Sequence, residues 1–136
     1  MPLIYPSRLP RIVPVILLIG WSLCILWLSL VPHPEKVIGI KVWDKLSHAA
    51  AYALLASLAA QVGLRYFPSR HTAWRWAVAA SWLFGLLMEL GQGLLTRSRR
   101  ASLGDILANS VGIFAVYLVG ALLARRRQRP LTEENS

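Results

Sequence analysis

Ile12-Val-Pro-Val-Ile-Leu-Leu-Ile-Gly-Trp-Ser-Leu-Cys-Ile-Leu-Trp-Leu-Ser-Leu-Val31 runs for about 20 residues without a charge. As a helix rising 1.5 Å per residue it would be about 30 Å long, the thickness of the hydrocarbon core of a bilayer. Pro14 falls in the first turn, where a missing N–H does little harm. A cleaved leader would need a small-x-small site after the apolar run, and Val31-Pro-His-Pro34 follows instead, so the run is expected to be a retained span. The pattern recurs over about 44–64, 73–95 and 105–124. The expectation is an all-α membrane protein with four transmembrane helices in one domain, 12–124. A short segment, 1–11, precedes it, and a basic then disordered tail, 125–136, follows.

Composition agrees with that class. Of 136 residues, 56% are hydrophobic, too many for a soluble domain of this size. The net charge is +9, but the basic residues sit in short clusters between apolar runs. That is how charge flanks membrane spans, so no nucleic-acid partner is expected. Cys24 is the single cysteine; it excludes an intrachain disulfide and reads as small core filler. The connector His33 to Lys45 carries Trp43 as an interfacial anchor, and Arg65 to Thr72 reads as a short basic loop. His33 and His71 are expected to be solvated loop residues. Ala-rich span two and Gly91, Gly93, Gly112 and Gly120 are expected to permit close helix packing.

Four spans put both termini on one side of the membrane. That side carries Arg8, Arg11, Arg65, Arg70, Arg75, Arg125, Arg126, Arg127 and Arg129, nine basic residues; the other carries Lys36, Lys41, Lys45, Arg97, Arg99 and Arg100, six. The positive-inside rule makes the first side cytoplasmic. Glu35, Asp44, Glu89 and Asp105 then group with the outer half, against Glu133 and Glu134 inside.

With this topology the unusual polar residues gather near the outer leaflet. Asp44, His48 and Tyr52, spaced i, i+4, i+8, stack on one face at the start of span two. Glu89 and Gln92 share a face of span three, with Glu89 about 9 Å below its outer end. Asp105 and Asn109 share a face at the start of span four, where Asp105 suits the positive helix end, as its cap with Ser102 close by. Spans two and four begin outside and span three ends there, so these faces can converge on one outward-opening pocket. Ionisable groups at membrane depth are costly and persist where they are paired or used. An ionised Glu89 needs a cation such as Arg99 or Lys45; an unpaired one would stay protonated, the state of a general acid. Blander readings stand beside these: Asp105 as a plain helix cap, Asn109 and Gln92 as interhelical hydrogen bonds, and His48 as a satisfied polar group at a helix interface. One histidine, a few carboxylates and no usable thiol form no metal-ligand spacing motif. Neither a metal nor another cofactor is expected.

The ordered set of motifs resembles the VanZ-like family of small bacterial membrane proteins. The pieces are Ser29-Leu-Val-Pro32, Asp44-Lys45-x-x-His48 with Tyr52, Glu89-x-x-Gln92, and Arg99-x-x-Ser102-x-x-Asp105-x-x-x-Asn109-x-x-Gly112. They cover about residues 29–112. A departure precedes Arg99, where family members commonly carry Pro-Gly and this chain has Arg97-Ser98. The resemblance implies a multi-pass protein of the bacterial plasma (inner) membrane and, through the founding member, a link to reduced teicoplanin susceptibility. It supplies no mechanism.

Three functions remain open on these residues. The first is a module that binds or handles a membrane lipid or lipid-linked envelope precursor. There Arg99 and Lys45 hold a phosphate, Glu89 and His48 line the pocket with Asp44, Tyr52 and Gln92, and Ser102, Asp105 and Asn109 orient the arginine turn. The second is an intramembrane enzyme with Glu89 or His48 as acid or base. The third is a structural subunit of a homo-oligomer or of another membrane protein.

Overall fold

A computed structural model of the protein describes residues 10–31, 44–95 and 102–128. Four helices make up nearly all of it: α1 (Ile12–Leu30), α2 (Asp44–Tyr66), α3 (Arg70–Leu95) and α4 (Leu103–Gln128). Among the described residues there is no strand. The helices hold 19, 23, 26 and 26 residues, about 28 to 39 Å of rise. All four are long and apolar enough to cross a membrane. Residues 1–9, 32–43, 96–101 and 129–136 lie outside the described residues, as do the side chains of Asp44, Arg126, Arg127 and Gln128.

Local chemistry sets the helix ends. α1 stops where Val31 turns extended (φ −70°, ψ 131°), the conformation a following proline imposes, here Pro32. The basic stretch 65–72 is not the loop its charge suggests. α2 continues to Tyr66 and α3 begins at Arg70, leaving three residues between them. Pro68 cannot continue a helix. Ser69 caps the next one: its Oγ accepts the Thr72 N–H at 3.4 Å and its carbonyl accepts the Ala73 N–H at 3.0 Å. His71 is therefore an exposed residue of the first turn of α3. Hydropathy fades at the edge of the hydrocarbon, whereas backbone hydrogen bonding does not. For the same reason α4 starts two residues before Asp105 and runs past Ala124 to Gln128. The residue preceding α4 is Ser102, whose carbonyl accepts the N–H groups of Asp105 (3.0 Å) and Ile106 (3.2 Å). Asp105 is the third helical residue, not the cap.

Helices consecutive in the chain run antiparallel, so α2 and α4 lie parallel to each other. At one end the start of α2 meets the start of α4 through Lys45 and Asp105, and Ser102 reaches Glu89 near the end of α3. At the other end Arg65 of α2 donates to the Pro10 carbonyl ahead of α1, and Arg70 of α3 donates to the Gly120 carbonyl of α4. α2 is central, touching all three other helices, most extensively α4. Its alanines make this possible: a Cβ on Gly112 of α4 would overlap the Ala49 carbonyl of α2. Trp21 of α1 donates its indole N–H to the Ala51 carbonyl at 3.0 Å. Ile25, Tyr52, Leu55, Ala56 and Ile113 form the main apolar core.

Burial is inverted relative to a water-soluble bundle. Ile16, Leu23, Leu83 and Leu118 are exposed, while Ser29, Ser81, Glu89, Gln92, Asp105 and Asn109 are buried. An apolar coat over a core of small and polar side chains suits helices packed in lipid, where dispersion and interhelical hydrogen bonds replace the hydrophobic drive. Of the four glycines expected at packing contacts, Gly112 and Gly120 are tightly opposed, Gly120 by Trp74. Gly91 is not: a Cβ there would meet nothing within 4 Å, because it lies off the buried stripe of α3. Gly93 is exposed.

Candidate functional site

The polar residues of α2, α3 and α4 meet at the end where α2 and α4 begin. On α3 the buried stripe Ala73, Ala77, Ser81, Gly85, Glu89 and Gln92 follows helical periodicity. Small side chains occupy its first two-thirds, so α3 approaches α2 closely. The stripe then delivers Glu89, 2% exposed, and Gln92, 3% exposed, to the polar end. The Ser102 N–H, at the cap of α4, donates to Glu89 Oε2 at 3.1 Å. A backbone N–H at a helix start carries part of the positive helix end, so this carboxylate is held by α4 as well as by its own helix.

α4 contributes Asp105 and Asn109, one turn apart and both buried. α2 faces them with Lys45 and His48. Lys45 Nζ donates to Asp105 Oδ1 at 3.2 Å. The other carboxylate oxygen, Oδ2, stands 4.0 Å from His48 Nε2. His48 Nδ1 is 3.2 Å from Asn109 Oδ1; in a neutral ring that bond is made by the Nδ1–H tautomer, which leaves Nε2 facing Asp105. Tyr52, a turn further along α2, is buried beneath His48, and its ring packs against Phe84 at 6.5 Å between centroids.

The helices thus bring together Lys45, His48, Glu89, Ser102, Asp105 and Asn109, with Tyr52 as floor and Gln92 buried one turn along α3 from Glu89. Arg99 and the side chain of Asp44, both expected at the pocket, lie outside the described residues. Two glycines that sequence reasoning passed over shape the site. A Cβ on Gly85 would lie 3.0 Å from the Tyr52 ring and 3.3 Å from Asn109 Nδ2, so this position lets the floor and the amide approach each other. A Cβ on Gly104 would crowd the Lys45 side chain, 3.1 Å from its Cε, so Gly104 leaves the path by which Lys45 crosses to Asp105. Their positions four residues before Glu89 and one before Asp105 were the available signals.

Chemically the site offers an imidazole held between an amide and a carboxylate, two buried carboxylates and a half-exposed ammonium at its rim. The sequence spacing holds no metal motif, yet His48, Glu89 and Asp105 each present a ligand atom within 4.8 Å of the others. They come from three different helices, so spacing within a helix could not disclose them.

No protein-family model matches this chain, and no curated protein or solved structure does either.

Proposed function

We propose that this chain is a VanZ-like protein of the bacterial plasma membrane. Both termini are cytoplasmic, and its outward-facing polar pocket binds the headgroup of a lipid or lipid-linked envelope component. The observation that carries the reading is the placement of Glu89. It is a carboxylate 2% exposed in a lipid-suited helix bundle, gathered with His48 and Asp105 at one end rather than spread through the core. Glue between helices needs no such clustering, and polar groups inside membrane bundles mark ligand sites when they converge. Lys45, 44% exposed and at the rim, supports an anionic headgroup: it can contact a phosphate while still neutralising Asp105. In this reading Arg99, three residues before Ser102 in the sequence, would supply a second cation. The resemblance to VanZ-like proteins adds lowered teicoplanin susceptibility as the cellular effect, since glycopeptides act on lipid-anchored precursors outside the membrane.

A structural role has its own support. The Ser102–Glu89 and Lys45–Asp105 contacts would hold α4 to α3 and α2 with no ligand at all. The two readings separate by mass spectrometry of lipids that co-purify with wild type, Arg99→Ala and Lys45→Ala at matched expression. A distinct anionic or lipid-linked species on the wild type, depleted in both variants, is expected. Identical bulk lipid on all three would overturn lipid handling and leave the structural role. If a ligand is found, Glu89→Gln tests for catalysis: loss of turnover with binding retained would make Glu89 an acid or base.

A further inference from the structure

We infer that His48, Glu89 and Asp105 form a binding site for a divalent transition-metal ion. This concerns the same pocket as the lipid reading and does not depend on it. The three groups come from α2, α3 and α4, and their ligand atoms all lie within 4.8 Å of one another. A point therefore exists within about 2.8 Å of all three. Closing to metal–ligand distances of about 2.0–2.2 Å takes under 1 Å per side chain, a small rotation of each.

Each candidate ligand is already oriented by a separate partner. Asn109 orients the His48 ring through Nδ1 (3.2 Å), which directs Nε2 toward Asp105. The Ser102 N–H holds Glu89 Oε2 (3.1 Å), and Lys45 holds Asp105 Oδ1 (3.2 Å). Outer partners of this kind are what set ligand direction and basicity in metal sites. A carboxylate that only capped a helix, or a histidine that only filled an interface, would have no reason to share a focus with the other two. The charges agree as well, because two carboxylates this close repel when both are ionised and a dication between them lets both stay ionised. One imidazole with two carboxylates suits Zn²⁺, or Mn²⁺ as the harder alternative. Three protein ligands leave a coordination position for water or a phosphate oxygen.

The test uses the full-length chain with no histidine tag, stripped with chelator and placed in phosphatidylcholine nanodiscs so that no anionic lipid competes. Zn²⁺ and Mn²⁺ are dialysed in separately and counted by elemental mass spectrometry. About one ion per chain is expected for at least one of them. His48→Gln and Glu89→Gln should each weaken binding more than about 100-fold, and Asn109→Ala, which removes the hydrogen bond that orients His48, by about 10–100-fold. His71→Ala, on the exposed start of α3, should change nothing. Circular dichroism and elution volume check the folding of each variant. Should His48→Gln and Glu89→Gln both misfold, Co²⁺ absorption of the wild type decides: ligand-field bands of an N/O site support the inference and their absence overturns it. Sub-stoichiometric binding of both ions to the wild type would overturn it, as would equal binding in folded His48→Gln and Glu89→Gln. Either failure leaves the lipid profile untouched, so the two readings fall separately.

Discussion

Gly112→Ala asks whether the α2–α4 interface is as tight as its backbones imply. A Cβ at 112 would overlap the Ala49 carbonyl oxygen and lie 2.9 Å from the carbonyl carbon and 3.0 Å from the Ala53 nitrogen. All are backbone atoms, so no side chain can rotate away. Restoring an ordinary carbon–oxygen contact of about 3.3 Å requires the two helices to part by roughly 1 Å. A gap of that size forfeits up to about half of the dispersion energy along the interface. It also stretches His48–Asn109 and Lys45–Asp105, each 3.2 Å, beyond hydrogen-bonding reach. Overpacking costs about 1–3 kcal/mol, and each lost interhelical hydrogen bond about 0.6 kcal/mol in a membrane protein. The expected loss is about 2–4 kcal/mol. The assay is reversible unfolding in mixed micelles titrated with sodium dodecyl sulfate, followed by helix content. Gly91→Ala is the internal control: its Cβ meets nothing within 4 Å, so it should be neutral or gain up to about 1 kcal/mol from helix propensity. A Gly112→Ala protein within about 0.5 kcal/mol of wild type, below the range expected of overpacking, would refute the close approach of α2 and α4.

Three further outcomes follow from single contacts. Trp21→Phe removes the indole N–H from the Ala51 carbonyl and should cost about 1 kcal/mol in the same titration; no change would mean that the bond does not hold α1 to α2. Ser81 Oγ is buried with no hydrogen-bond partner among the described residues. Ser81→Ala should therefore be neutral or stabilising by up to about 1 kcal/mol, and a clear loss would reveal a partner. The proposed cytoplasmic placement of both termini predicts that Ser7→Cys and Ser136→Cys, each in a Cys24→Ala background, react with a membrane-impermeant maleimide only after lysis. Labelling of intact cells would reverse the topology and turn the pocket inward.

What could be read from the sequence and what could not divide along a physical line. The four spans were legible because length and hydropathy are local properties, and a bilayer demands both from every crossing segment. The pairs His48 and Tyr52, Glu89 and Gln92, and Asp105 and Asn109 were legible for a related reason: helical spacing fixes which residues share a face. Helix ends were less so. Arg70 and His71 look like a loop by charge, but Ser69 and Pro68 decide where α3 begins. What stayed hidden depends on which face meets which. Gly91 and Gly112 are the same residue in similar apolar helices, and only the position of Ala49 makes one indispensable and the other incidental. Gly85 and Gly104 matter only because Tyr52 and Lys45 pass over them. The convergence of His48, Glu89 and Asp105 is hidden in the same way, since three residues 16 to 57 positions apart in sequence become neighbours only through the packing of α2, α3 and α4. Tight packing and site chemistry are therefore coupled. Gly112 keeps α2 against α4, and that separation keeps His48 on Asn109 and Lys45 on Asp105. If the pocket binds an ion or a headgroup, Gly112→Ala should weaken that binding from outside the pocket, in proportion to how far the helices part.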